Sequence, residues 1–326
     1  MDPTRDNWKK VEKNLNSFFG TVSERYQSIR SLSYNYLPQY LKACFLYVGG
    51  FPEDTEINVS QLIKLWIAEQ FVKARKDKRL EVVAEECLQE LIDRSLILAG
   101  KQRANGRMRS CKIHDLLHQL CLSEAHTENV MDGNVLEAID DQRRMILLSE
   151  FKLLKVLDVL SIDYDFSSVI PELVQLRYAA ARIKEAVSLA KLINLQTIIL
   201  KGLEWKEREQ QVDIWGMSEL THLDIRSPLY ISNPVEAEND NIGEQPLFLN
   251  NLQTLYLRNS RFVVEILRRT PNLKNLELLS YFALPDWPAI LDFLSLVQDL
   301  ETLHIQNMKC MIFYGDNFPP NLKQLK

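Results

Sequence analysis

The sequence runs to 326 residues, 46% of them hydrophobic, with a formal net charge of −5, which is long enough for two separate cores and argues against wholesale coating of nucleic acid while leaving room for a local basic patch. Five cysteines at 44, 87, 111, 121 and 310 are too few and too scattered for a disulfide framework and fit reduced thiols of the cytoplasm or nucleus. No stretch approaches the roughly 18 uninterrupted apolar residues of a membrane span, and the opening Met-Asp-Pro-Thr-Arg-Asp-Asn-Trp-Lys-Lys lacks the apolar core of a signal peptide.

Trp8, Val11, Leu15 and Phe18 recur at helical spacing and predict one buried stripe. Residues 24–36 continue with Ile29, Leu32 and Tyr36, followed by Leu37. Pro38 then suits the first turn of a helix carrying Tyr40, Leu41, Cys44, Phe45 and Tyr47, which Gly49-Gly50 ends. Ser60 is a candidate cap for a helix bearing Leu62, Ile63, Leu65, Trp66, Ile67 and Phe71, and a further helix is expected from about Leu80 to Arg94.

From Leu96 to Ile113 two strand-like runs flank Ala104-Asn105-Gly106. An Asn-Gly pair marks a tight hairpin, because both central residues must adopt positive φ. Three helices followed by a hairpin make a winged helix, a fold often used to read DNA. Lys101, Arg103, Arg107, Arg109 and Lys112 on the wing are candidate phosphate contacts. The helix that would enter a groove, Leu62 to Phe71, offers one Lys64 against one Glu69.

The segments Leu-Ser-Tyr-Asn-Tyr-Leu-Pro-Gln-Tyr-Leu-Lys-Ala-Cys-Phe-Leu-Tyr (32–47), Phe-Pro-Glu-Asp-Thr-Glu-Ile (51–57) and Leu-Ile-Lys-Leu-Trp-Ile-Ala-Glu-Gln-Phe-Val (62–72) resemble the winged-helix subdomain of plant nucleotide-binding leucine-rich-repeat resistance proteins. The similarity is to the coiled-coil branch and, within it, the late-blight type of the nightshade family. It implies that residues 1–20 end a preceding helical subdomain, that 21–130 form the winged helix and that 131–149 form a linker. Gln70 stands where the family usually has glycine, which forfeits an easy left-handed helix end.

The run Cys-Lys-Ile-His-Asp-Leu-Leu-His-Gln-Leu-Cys (111–121) admits three readings. Cys111, His114, His118 and Cys121 could supply a zinc site, although Cys111 lies on the strand before the helix that would carry the others. Asp115 could simply cap a helix whose Leu116, Leu117, Leu120 and Leu122 are buried. By resemblance, Ile113-His114-Asp115 aligns with the methionine-histidine-aspartate motif. That alignment implies His114 as a contact to the β-phosphate of ADP and Asp115 as a latch of the closed state. A histidine can make such a contact as a neutral donor. No Gly-x-x-x-x-Gly-Lys-[Ser/Thr] occurs in the 326 residues, so these residues lack the phosphate cradle and are not expected to hydrolyse ATP or to hold ADP or ATP tightly.

From residue 150 a Leu-x-x-Leu-x-Leu pattern takes over, at Leu154/Leu157/Val159, Leu173/Leu176/Tyr178, Leu195/Ile198/Leu200, Leu220/Leu223/Ile225, Leu252/Leu255/Leu257, Leu273/Leu276/Leu278 and Leu300/Leu303/Ile305, with an eighth unit beginning at Leu322/Leu325. Most intervals lie within or near the 20–29 residues of leucine-rich repeats, so 150–326 is expected to be an irregular solenoid of seven or eight units. The asparagine usual after the third leucine is mostly missing. The polar stretch Val-Glu-Ala-Glu-Asn-Asp-Asn-Ile-Gly-Glu-Gln (235–245) is expected to protrude. Outward-facing residues between the second and third leucines would be Asp158, Arg177, Ile199, Asp224, Tyr256, Glu277 and His304, a candidate partner-binding row with Tyr256 as its anchor.

The expectation is therefore an α+β chain, a winged helix followed by a leucine-rich solenoid, that is a fragment or truncated paralogue of an intracellular plant immune receptor. The resemblance implies a cytoplasmic switch, in part at a membrane surface or in the nucleus, that is not an enzyme by itself. Its implied partners are a pathogen effector or a guarded host protein, and its own nucleotide-binding domain. Oligomerisation on activation is implied only for the full-length family, and the chain stops inside a repeat at Lys326. Two rivals stay open: a DNA-binding regulator using the basic wing, and a repeat scaffold with no switch.

Overall fold

The computed structural model describes residues 34, 36–52, 54–75, 78–103, 106–114, 117–121, 153–189, 191–202, 210–226, 229–233, 248–258, 262–280, 287–297, 299–307 and 322–325. The helix expected over residues 8–18, most of 24–36 and the acidic stretch 235–245 lie outside them. The chain divides into two compact units between Ala138 and Ile139.

In the first unit, helix α1 (Gln39–Val48) buries Leu41, Cys44, Phe45, Leu46 and Val48. Pro38 caps it from outside, with ψ of 147°, instead of occupying the first helical position. Tyr36, expected on the buried stripe, is 78% exposed, and Tyr34 is buried in its stead. The two-residue offset arises because the chain turns before α1, with the Leu37 amide bonded to the Tyr34 carbonyl.

Helix α2 (Val59–Ala68) starts two residues earlier than a Ser60 cap predicts. Asn58 is the cap, its side-chain oxygen accepting from the Gln61 amide at 3.2 Å. The cause is a two-residue strand, β1 (Ile57–Asn58), that runs straight into the helix and is too short to be recognised in a sequence. At the other end the Phe71 amide reaches the Trp66 carbonyl and the Gln70 amide the Ile67 carbonyl, the bond pattern of a Schellman helix end. The left-handed residue this requires is Gln70, at φ 65°. The left-handed end is thus kept, and a glutamine adopts it. Helix α3 (Leu80–Asp93) ends the same way on Ser95, at φ 57°.

Strands β2 (Leu98–Ala99) and β3 (Ser110–Lys112) pair antiparallel, and β1 adds to the far edge of β3. Between β2 and β3 a bridge joins Gln102 to Met108, and Gly106 supplies positive φ, 77°. Three helices and this three-stranded sheet close a winged helix around Trp66, Phe45, Tyr34, Leu88, Leu91 and Ile97.

The second unit is an eight-stranded parallel sheet, one strand per repeat: β4 (Val156–Asp158), β5 (Tyr178–Ile183), β6 (Thr197–Gly202), β8 (His222–Arg226), β10 (Thr254–Arg258), β11 (Asn275–Ser280), β12 (Thr302–Asn307) and β13 (Gln324–Leu325). Among the described residues between them lie a side pair, β7 (Gln210–Val212) with β9 (Leu229–Ile231), and two α-helices, α4 (Val263–Arg268) and α5 (Trp287–Leu296). Leucines stack in register across the strands. Leu157, Ala179, Ile198, Leu223, Leu255, Leu276 and Leu303 form one buried ladder, and Leu176, Leu195, Leu220, Leu252, Leu273 and Leu300 form another just before the strands. Burying such side chains contributes about 1.5–3 kcal/mol each, available only when neighbouring repeats stack.

Repeat-to-repeat polar bonding replaces the missing asparagine ladder. Asn251 and Asn272, each just ahead of the first leucine of its unit, donate Nδ2 to the carbonyls of Ser218 and Asn250 in the preceding turn, both at 2.8 Å. On the strands themselves Thr302 donates to Asn275, which donates to Thr254.

Candidate functional site: the wing-to-helix junction and the polar face of the sheet

Strand β3 carries Cys111 into the core, Ile113 is 5% exposed, and His114 emerges as an exposed residue. The amides of Leu117 and His118 bond the His114 carbonyl at 2.7 and 2.9 Å, so the helix over 117–121 begins directly on His114. Asp115 and Leu116 lie outside the described residues.

This helix is fixed to the end of α1 by three contacts. The His118 Nε2 donates to the Phe51 carbonyl at 2.9 Å, and the Cys121 thiol donates to the Phe45 carbonyl at 3.4 Å. Gly49 supplies the third: a Cβ on it would lie 2.3 Å from the Cys121 Cβ. Its φ of −64° is open to any residue, so glycine is needed here for space and not for backbone freedom. In the sequence, Gly49-Gly50 reads only as a helix stop. The close approach leaves no signal there except the glycine itself.

These contacts bear on the zinc reading. Burial pushes the Cys111 thiol up to about 12. Burial also raises Cys121, against a smaller lowering by its hydrogen bond to the Gly49 backbone. Both cysteines are buried in the core, and Cys121 and His118 are engaged with backbone carbonyls. Among the described residues no three His, Cys, Asp or Glu side chains converge to hold a metal ion. His114 differs from them in being exposed.

The wing itself carries exposed Arg103, Arg107 and Arg109. Lys101 is bound to Glu56 at 3.0 Å, and that hydrogen bond holds the Glu56 carboxyl below the usual carboxylate range. Helix α2, the element a DNA reader would insert, buries Val59, Leu62, Ile63, Leu65, Trp66 and Ala68. The outward side of α2 is left to Ser60, Gln61, Lys64 and Ile67, with Lys64 its one cation.

On the sheet, register aligns the row that the leucine pattern predicts to face outward. Asp158 pairs with Ala180, Ala180 with Ile199, Ile199 with Asp224, Asp224 with Tyr256, Tyr256 with Glu277 and Glu277 with His304. Arg177 does not belong to it. Its amide bonds the Lys155 carbonyl and its carbonyl receives the Gln196 amide, which puts it in the row preceding the strands. The second repeat is set by Leu176, Ala179 and Ala181, so its start falls three residues later than the leucines suggest. Two alanines occupy the inner face there, and Leu173 instead follows a 3-10 turn over Ile170–Glu172. Asp224, expected to be exposed, is 8% exposed because Arg226 folds over it, donating Nε and Nη2 to the same carboxylate oxygen at 3.0 and 2.7 Å. His304 lies 3.5 Å from Glu277.

Residues 51–121 match the family described as disease resistance protein winged helix domain. Residues 51–121 are a winged helix domain of the disease resistance proteins. Nearly the whole chain is homologous to late blight resistance proteins of Solanum demissum. It is 32% identical to the homolog R1B-12 over 97% of its length, 31% identical to the homolog R1B-16 and 29% identical to late blight resistance protein R1-A, each of these two over its whole length. It spans under a third of those relatives, 28% or 29% of each. The matched interval of the resistance domain opens at Phe51, whose carbonyl receives His118, and closes at Cys121 on Gly49. Among the described residues no helix is long and apolar enough to cross a membrane.

Proposed function

We propose that this chain is the winged-helix and leucine-rich-repeat part of a nucleotide-governed plant immune switch. His114 contacts a phosphate of ADP and Asp115 latches the closed state. The polar face of the sheet meets a pathogen effector or a guarded host protein, or the receptor's own nucleotide-binding domain. The observation that carries this reading is the lock on the helix over 117–121. Three contacts to the end of α1 hold rigid a helix whose entrance exposes His114, the arrangement a sensor needs if loss or gain of a phosphate is to move the winged helix as a body. Bound nucleotide would supply a fixed anion, and His114 would donate a hydrogen bond to it. The remaining phosphate contacts come from residues outside this chain, which by itself catalyses no hydrolysis. The working place is the cytoplasm.

The test is Asp115→Val in a full-length receptor carrying this segment. Effector-independent cell death in leaf tissue is the expected result, and a receptor that stays silent while accumulating normally refutes the sensor role. The DNA-binding reading is less favoured because most α2 side chains are buried in the core and its one cation is Lys64.

A further inference from the structure

Two residues beyond the partner-facing row, the same register aligns a second row: Arg182 beside Lys201 and Lys201 beside Arg226, with Arg258 next when the β8 to β10 pairing is carried two residues on. Adjacent strands lie ~4.8 Å apart, so four cations stand in a stripe ~14 Å long. Like charges side by side on a sheet disfavour folding, and among the described residues internal pairing relieves only half of this stripe. Arg226 is held by Asp224 and Arg182 by Asp163 at 2.8 Å, itself 80% exposed. Lys201 is exposed and has no ion pair among the described residues. The Arg258 Nε is buried with no hydrogen-bond partner among them, a donor whose desolvation nothing there offsets.

A parallel stripe of opposite sign, Asp158, Asp224 and Glu277, runs two residues upstream, ~6.7 Å away along the strands. Tyr256 stands in that upstream row on β10, between Asp224 and Glu277. We propose that this face docks a protein segment bearing a row of carboxylates, laid across the strands with its acidic edge over Arg182, Lys201, Arg226 and Arg258 and Tyr256 packed against its end over β10. The inference rests on the reading that the polar face receives a partner, and it names that partner's chemistry. A nucleic acid is a poorer match, because its uninterrupted anionic backbone would also lie over Asp158, Asp224 and Glu277. A helix with Glu or Asp at i and i+4 repeats its charges every 5–6 Å, close to the strand spacing.

The experiment is fluorescence anisotropy of the purified chain with three probes: a labelled helical peptide with Glu at i, i+4 positions, its Lys counterpart, and a single-stranded 20-nucleotide DNA. Each is measured at about 50 mM and about 300 mM salt. The Glu peptide is expected to bind at least about tenfold tighter than either other probe and to weaken with salt. Lys201→Glu, an exposed change that spares the core, and Lys201→Glu with Arg258→Glu should weaken it about fivefold and more than tenfold, with circular dichroism unchanged. No Glu-peptide binding at low salt, equal binding of the Lys peptide, tighter binding of DNA, or affinity unmoved in folded Lys201→Glu each overturns the proposal. If Tyr256→Ala abolishes partner recognition by the full-length receptor while the charge variants leave peptide affinity intact, the acidic partner fails and the docking face stands. If neither set of variants has an effect, both fail.

Discussion

Gly49→Ala is the sharpest test of how the helix over 117–121 is held. The added methyl would lie 2.3 Å from the Cys121 Cβ, against ~3.5–4.0 Å for unstrained carbon contacts, so the helix must retreat by more than about 1 Å. Overpacking of this kind costs roughly 1–3 kcal/mol. The retreat also strains the His118 bond to Phe51 and the Cys121 bond to Phe45, each worth about 1 kcal/mol or less. Against this, alanine restricts the unfolded chain and returns about 0.4–1 kcal/mol, since φ here suits it. The net expectation is a loss of about 2 kcal/mol. Hydrogen exchange of the amides over 117–121, read by mass spectrometry, should accelerate on the order of thirtyfold, with a matching drop in the urea midpoint of the first unit. Cys121→Gly in the same chain removes the opposing Cβ and should return at least half of the loss, beyond what the two single changes predict by addition. Unchanged exchange in Gly49→Ala, or strict additivity in the pair, would falsify the close-approach argument.

Two further outcomes concern other positions. Gln70→Gly should stabilise the winged helix by about 0.5–1 kcal/mol, because relief of the left-handed strain exceeds the added unfolded-state entropy; a lowered urea midpoint would contradict the positive φ at that residue. Cys111, with its thiol pushed up to about 12 by burial, should alkylate on the order of a thousandfold more slowly than a free thiol at pH 8.5, checked by peptide mass after iodoacetamide treatment. A raised thiol also sets a direction for stability. The unfolded thiol ionises near its ordinary value and the folded one does not, so stability should fall as pH rises above about 8.5. Native-state labelling as fast as in urea would remove the burial assignment.

Much of the fold was legible because hydrophobic period is written residue by residue. The helices around Phe45, Trp66 and Leu88, the hairpin at Gly106 and the parallel ladder of leucines each declare themselves locally, and six of the seven positions predicted to face outward share the register that this period implies. Where small residues replace large ones the period misleads. Ala179 and Ala181 hide the second repeat, and the neighbouring Leu173 and Leu176 mimic it three residues early. Arg177 is misplaced by the leucine period for that reason.

What the sequence by itself determined, then, was the order of elements, the repeat and the His114 junction, since all three depend on neighbours within a few residues. Only the tertiary structure decided the rest. Glycine at 49 answers to Cys121 seventy-two positions away, β1 exists because β3 offers it an edge, and the stripe from Arg182 to Arg258 forms only when four strands from four repeats fall into register. Long-range contact, close approach and the alignment of like charges are properties of the folded surface, and no local pattern of residue types carries them.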